Sequence, residues 1–232
     1  MNLFDMFMKG GIIMYPILLC SILAVYISIE RILVLRKAQL DVGQFMMKLK
    51  SIFQKGDVTG VLTFCSQKDA PIANIIRHGI VKHDQGDEKV RQAVDDAGRA
   101  EVYHLEKRLS ILASIAGIAP MLGFLGTVSG MVSAFQRIEG LGGIVNPSDL
   151  AGGIWEALLT TVFGLVVGII AYALYNYFVT RVKRFVHEME VTTTEFLDLL
   201  QKREPTPSKE GKAPDQRTSQ MAYQEDEYFR RK

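Results

Sequence analysis

The sequence predicts an all-α membrane protein with three transmembrane helices, two of them extended into a helical bundle outside the bilayer. Two observations carry this expectation: three long runs lack charged residues, and apolar periodicity continues past two of them into charged sequence. The central run, 109–136, reads LSILASIAGIAPMLGFLGTVSGMVSAFQ, twenty-eight residues without Asp, Glu, Lys or Arg. About 20 helical residues cross a bilayer core of about 30 Å, so this run spans with length to spare.

Composition sets loose bounds. The chain has 232 residues, 48% of them hydrophobic, and a net charge of +2, enough for one membrane domain with polar extensions. That balance names no charged partner, and no nucleic acid is expected. Cys20 in an apolar run and Cys65 in a charged segment suggest packing rather than a disulfide framework.

Residues 1–11 begin MNLFDMFMKG, an amphipathic lead-in suited to a membrane surface. No charge then appears from Gly10 to Ile29, and Glu30, Arg31, Arg36 and Lys37 close the run. Pro16 is tolerable in a first turn, so the first span is placed at 12–35. A signal peptide is the rival reading, with Lys9 as its positive start. The apolar run is too long for one, and no small-x-small cleavage site precedes the charges.

Residues 36–108 carry thirteen Lys and Arg. Gly56-Asp57, Ala70-Pro71 and Gln85-Gly86-Asp87 punctuate them into short helices. From Glu88 the punctuation stops, and Val90, Val94, Ala97, Leu105, Leu109 and Leu112 recur at helical spacing into the second span. One helix of about 48 residues, about 72 Å at the α-helical rise, is expected there.

The connection 137–149 contains Gly140, Gly142, Gly143 and Pro147, with Ser148 or Asp149 placed to cap the next helix. As a phosphate loop it lacks the Gly-Lys-Ser/Thr ending and the preceding strand. The third span is placed at 150–180, and Val182, Phe185, Met189, Phe196 and Leu199 carry its helix through 181–204. No Gly or Pro interrupts until Pro205. The tail 205–232 is poor in apolar residues and is expected to be disordered.

Small residues form stripes on two of the spans. Ala116, Pro120, Gly123, Thr127, Gly130 and Ala134 follow alternating steps of four and three, and Gly153, Ala157, Thr161, Gly164, Gly168 and Ala171 do much the same. Lipid gives helices no hydrophobic reason to associate, so such stripes mark close packing against other helices.

Charges near the span ends set the orientation. Arg31, Arg36, Lys37, Lys107, Arg108, Arg181, Lys183 and Arg184 flank one side, against Lys9 and Arg137 on the other. The positive-inside rule then puts 1–11 and 137–149 outside, and 36–108, 181–204 and the tail in the cytoplasm. In that frame Thr127 lies about 7.5 Å outward of its span's centre, and Thr161 about 6 Å outward of its own. Each alone is open to the bland reading, a hydroxyl bonded to its own helix; two at matched depth on matched stripes favour a shared polar surface. Glu156 is the only carboxylate within the third span, 150–180, either a functional acid or a group solvated at the interface. No Asp, Glu or His occupies the middle of any span, so an ion path through this chain needs an acid from a partner.

The blocks IAPMLGFLGTVSGMVSAF and GGIWEALLTTVFGLVVGIIAYALYN resemble the ExbB, TolQ and MotA energy-transducing subunits, and MYPILLCSILAVYISIERIL resembles the first ExbB/TolQ helix. The likeness covers roughly residues 1–200 and lies closest to ExbB, TolQ next; three spans argue against the flagellar stator branch. The resemblance implies a homopentamer around a central pore, with single-span ExbD/TolR-like partners whose membrane aspartate is the protonation site. It implies protons as the coupling ion with no other cofactor, a bacterial inner-membrane location, and work done on a TonB- or TolA-like envelope protein. Thr127 in GFLGTV and Thr161 in EALLTTVFG match the family's pore-lining threonines, and Glu156 matches its acidic position in EAL. Ala116, Pro120, Gly123, Gly130, Ala157, Gly164 and Gly168 are then packing positions of the pore helices.

Other classes fit less well. A carrier would show a polar cluster or inverted repeat interrupting its spans. An enzyme is disfavoured because His78, His83, His104 and His187 lie outside the spans with no nucleophile or metal motif beside them. A non-conducting membrane scaffold remains the rival from another class.

Overall fold

A computed structural model describes residues 7, 10–140 and 147–201, the side chains of 147–150 excepted. Most of the lead-in 1–11, residues 141–146 of the connection and the tail 205–232 lie outside the described residues. The chain divides into two units after Leu197, and the packing of the helices lies within the first.

Every described element is helical: α1 Met14–Ala38, α2 Val42–Gln54, α3 Val58–Ser66, α4 Pro71–Val81, a 3-10 turn His83–Gln85, α5 Asp87–Glu106, α6 Leu109–Gly140 and α7 Pro147–Gln201. Three stretches, containing α1, α6 and α7, are long and apolar enough to cross a membrane. Only 28%, 28% and 33% of their most apolar windows is buried within the chain. Most of each span's surface is therefore left for lipid or other subunits.

The short helices begin and end for local reasons. Asp41 caps α2 by accepting from the Gln44 N–H at 3.1 Å, and Asp57 caps α3 through the Gly60 N–H at 2.7 Å. Pro71 occupies the first turn of α4, where its missing N–H costs nothing. Gly56 and Gly86 take positive φ, 83° and 93°, at two of the breaks. Ile72, Ala73, Ile75, Ile76 and Ile80 make α4 the most buried of these helices. A Cβ on Gly79 would lie 2.7 Å from Val94 of α5 and 2.9 Å from Phe196 of α7. Glycine thus lets α4 lie tightly against both.

The expected single helix from Glu88 to Gln136 is broken. α5 stops at Glu106, α6 starts at Leu109, and Arg108 between them has φ 65°. The cause sits on α1. Arg31, 3% exposed, donates Nη1 to the carbonyls of His104 and Leu105 at 3.2 Å each. In a continuous helix those carbonyls would take the N–H groups of Arg108 and Leu109. Glu30 accepts from both Arg31 and Arg108, holding the displaced residue in place. Arg31 is thus a buried cap for α5, not the solvated flank that its position in the sequence implies.

α7, by contrast, is one helix of 55 residues, about 80 Å long at 1.5 Å per residue. It starts at Pro147, so Ser148 and Asp149 lie inside its first turn rather than at its cap. Proline's fixed φ and absent N–H suit that first position. α6 likewise runs on past Arg137 to Gly140.

Candidate functional site

The seam between α6 and α7 is built from small residues in antiparallel register. Gly153 faces Ala134, Ala157 faces Gly130, and Thr160 faces Gly126. Gly164 faces Ala119 and Gly123, and Gly168 faces Ala116 and Pro120. The backbones are close enough that side chains are excluded. A Cβ on Gly164 would lie 2.6 Å from the Ala119 carbonyl oxygen and 2.9 Å from the Gly123 Cα; one on Gly168 would lie 2.4 Å from Pro120 Cγ.

The buried line on α6 runs through Ala119, Gly123, Gly126, Gly130 and Ala134, while Ala116, Pro120 and Thr127 sit half-buried at its edge. On α7, Thr160 is 2% exposed, and Thr161 is only half-buried. Ala119, Gly126 and Thr160 are therefore seam residues that sequence spacing alone assigned to no stripe.

The two expected threonines behave differently. Thr161 crosses the seam, its hydroxyl donating to the Gly123 carbonyl at 2.9 Å. Thr127 stays on its own helix and donates to the Phe124 carbonyl at 2.6 Å, the local bond common for membrane threonines. Thr160 donates to Ala157 at 2.8 Å, with a longer 3.5 Å approach to the same Gly123 carbonyl. Because Gly126 rests on the Thr160 side chain, Thr127 lies level with the Thr160-Thr161 pair.

Glu156 lies one helical turn before Thr160 and is half-buried rather than free in solvent. A Cβ on Gly11 would lie 2.2 Å from its Oε1. Gly11 has φ 69°, so this close approach and the backbone turn both call for glycine. Beside the carboxylate is a cavity of about 50 Å³ lined by Gly10, Ser129, Ser133, Glu156 and Thr160, among others. Ser129 and Ser133 were missing from the sequence-based site. Their one-turn spacing on α6 and the paired glycines at 10 and 11 are the signals that point to this cavity.

The Glu156 carboxylate and the Ser129, Ser133 and Thr160 hydroxyls share this cavity, while Thr161, outside its lining, bonds the Gly123 carbonyl in the seam. Beyond Thr161 the facing residues are Gly164, Gly168, Ala119, Ala116 and Pro120, which offer no polar side chain. A carboxylate beside hydroxyls can hold water or a small cation next to the seam.

The matched stretch 67–191 falls in the MotA/TolQ/ExbB proton channel family and covers more than half of the chain. The chain belongs to that family. It contains a multi-pass membrane subunit's three apolar helices, and the matched stretch includes the whole α6–α7 seam. Among similar proteins, the "Putative biopolymer transport protein ExbB homolog" of Methanothermobacter thermautotrophicus is 30% identical over 188 residues, 81% of this chain and 66% of that protein. The "Putative biopolymer transport protein ExbB-like 3" of Synechocystis sp. is 30% identical over 172 residues, 74% of this chain and 82% of that one. The "Tol-Pal system protein TolQ" of Haemophilus influenzae is 33% identical over 109 residues, 47% of each chain. This family member thus spans just under two thirds of the Methanothermobacter relative.

Proposed function

We propose that this chain is the channel-and-motor subunit of a complex in the bacterial inner membrane that converts inward proton flow into mechanical work on an envelope protein. Five copies surround a pore that holds single-span ExbD/TolR-like partners. The observation that carries this reading is the polar cavity of Glu156, Ser129, Ser133 and Thr160, with the Thr161–Gly123 hydrogen bond in the adjoining seam, in a chain whose spans hold no central Asp, Glu or His. A cation brought to that point needs an acceptor from another chain, and a partner's membrane aspartate is that acceptor. Thr127 and Thr161 line the path, Glu156 stands at its outer end, and the glycine seam keeps the pore helices close.

The N-terminus is periplasmic and both extensions are cytoplasmic, because the basic residues cluster at one end of the spans. A charge crossing the membrane yields about 2.3 kcal/mol per 100 mV, enough to bias a mechanical step when several protons cross. The driven protein is of TonB type, energising outer-membrane transport. A TolA-type target with a role in envelope integrity is the second reading, favoured by the TolQ relative, whose match is shorter than those of the Methanothermobacter and Synechocystis ExbB-named proteins.

Native mass spectrometry of the complex extracted from its own membrane tests this reading. Five copies with two copies of a single-span protein bearing a membrane aspartate are expected, and that partner's identity separates the two targets. A closed oligomer with no such partner would replace the motor by a non-conducting scaffold.

A further inference from the structure

A second site lies at the other end of the spans, where α1 and α7 leave the apolar zone. α1 ends at Ala38, Gln39 turns the chain in extended conformation, and Asp41 starts α2. On α7 the charge-free run 157–180 ends at Arg181. Between these two points is a cavity of about 340 Å³ lined by Gln39, Leu40, Asp41, Arg181, Arg184, Phe185 and Glu188. Its size lies within the range of small-ligand sites, about 300–1,000 Å³. It lies just past the end of the charge-free run, where lipid headgroups meet a spanning helix, and the exposed ring of Tyr177 one turn deeper has the place of an interfacial aromatic.

The charges in this cavity are arranged but not used up. Arg181 directs Nε to the Tyr177 hydroxyl at 3.3 Å and holds its guanidinium 5.6 Å from that ring's centre. Arg184 directs Nε to Glu188 Oε1 at 3.0 Å. Among the described residues the terminal nitrogens of both guanidiniums have no hydrogen-bond acceptor. Asp41 spends Oδ1 on the Gln44 N–H, leaving Oδ2, and Glu188 keeps Oε2.

Two unspent guanidinium forks and two unspent carboxylate oxygens therefore surround one neutral cavity. We propose that this cavity binds the headgroup of a zwitterionic aminophospholipid, with the phosphate on Arg181 and Arg184 and the primary ammonium on Asp41 and Glu188. Guanidinium forks match phosphate oxygens in pairs. A primary ammonium has three donors for the carboxylates, whereas a trimethylated choline has none. A net-anionic headgroup would satisfy the arginines but face two uncompensated carboxylates. The lipid arrives by lateral diffusion, so it needs no path through the protein. This site stands apart from the cavity beside Glu156 and does not depend on the function proposed for that cavity.

The test is native mass spectrometry of the purified full-length protein with equal amounts of dioleoyl phosphatidylethanolamine, phosphatidylglycerol and phosphatidylcholine. Wild type should retain phosphatidylethanolamine roughly tenfold over the other two, about 1.4 kcal/mol. R181Q/R184Q should lose that retention, R181K/R184K should keep only part of it, and E188Q should equalise phosphatidylethanolamine and phosphatidylglycerol. The wild-type ranking needs no variant, so a misfolded mutant leaves the test intact. Equal retention of all three lipids, phosphatidylglycerol ahead in wild type, unchanged retention in R181Q/R184Q, or displacement by millimolar inorganic phosphate would each overturn the proposal.

Discussion

The α6–α7 seam and the helical extension of α2–α5 with the far half of α7 hold together by opposite means. The extension buries large side chains: Phe45, Leu49, Phe53, Ile75, Ile76, Ile80 and Phe196 are all at most 7% exposed. Its Phe45 and Phe64 rings stack with centroids 5.2 Å apart. The seam buries almost nothing larger than threonine, and its glycines bring backbone against backbone. The difference follows from the solvent. Water rewards removal of apolar area, about 25 cal/mol per Å². Lipid does not, so a membrane seam gains from dispersion at close approach and from hydrogen bonds such as Thr161 to the Gly123 carbonyl.

That contrast can be broken by substitution. The largest effect is expected from Gly164→Leu, whose first side-chain carbon already meets the Ala119 carbonyl oxygen at 2.6 Å. The seam cannot close around it, and the native mass of the oligomer should be lost; an unchanged oligomer would show that the seam tolerates bulk as the extension does. Phe196→Ala should lower stability by about 3–5 kcal/mol, measured as an earlier thermal transition, while the oligomer persists in the membrane.

Arg31→Met probes the junction between the two regions. It removes the donor that occupies the His104 and Leu105 carbonyls, at a cost of about 1–3 kcal/mol. α5 and α6 should then straighten toward one helix, seen as a longer distance between spin labels at exposed positions 95 and 118. An unchanged distance would place the cause of the break elsewhere.

Thr161→Val should cost the seam about 1 kcal/mol or less, and Thr127→Val, whose hydroxyl bonds its own helix, should cost the seam nothing; assembly stays intact in both. Energy-dependent function should fall in both, and full activity in both would end the ion-path role. The smallest effect concerns Cys65, 1% exposed in the extension, where burial pushes the thiol up to about 11. A raised thiol value leaves the unreactive protonated form dominant at pH 7. Maleimide labelling of the folded protein should be slow there and accelerate only as pH approaches that value. Rapid labelling at pH 7 would mean the extension's core is not dry.

Local signals in the chain were readable wherever the cause was local. Three charge-free runs gave the three apolar helices, and turn residues at Gly56-Asp57, Ala70-Pro71 and Gly86 coincide with breaks between helices. The family blocks were legible for the same reason, being contiguous. Ser129 and Ser133 escaped notice because serine at one-turn spacing is common on helices, and only the nearby Glu156 and Gly10 give the pair meaning.

The sequence by itself determined that this is an all-helical chain with three membrane-length apolar helices and two small-residue stripes, because hydropathy and helical period are properties of neighbours along the chain. Only the tertiary structure decided that Arg31 breaks the second long helix from 73 positions away, that Thr161 crosses to Gly123 while Thr127 does not, and that Glu156 rests on Gly11. Each of those outcomes depends on which backbone group lies opposite a side chain. Periodicity fixes the face of a helix, but the rotation and offset of a facing helix emerge only when both are packed.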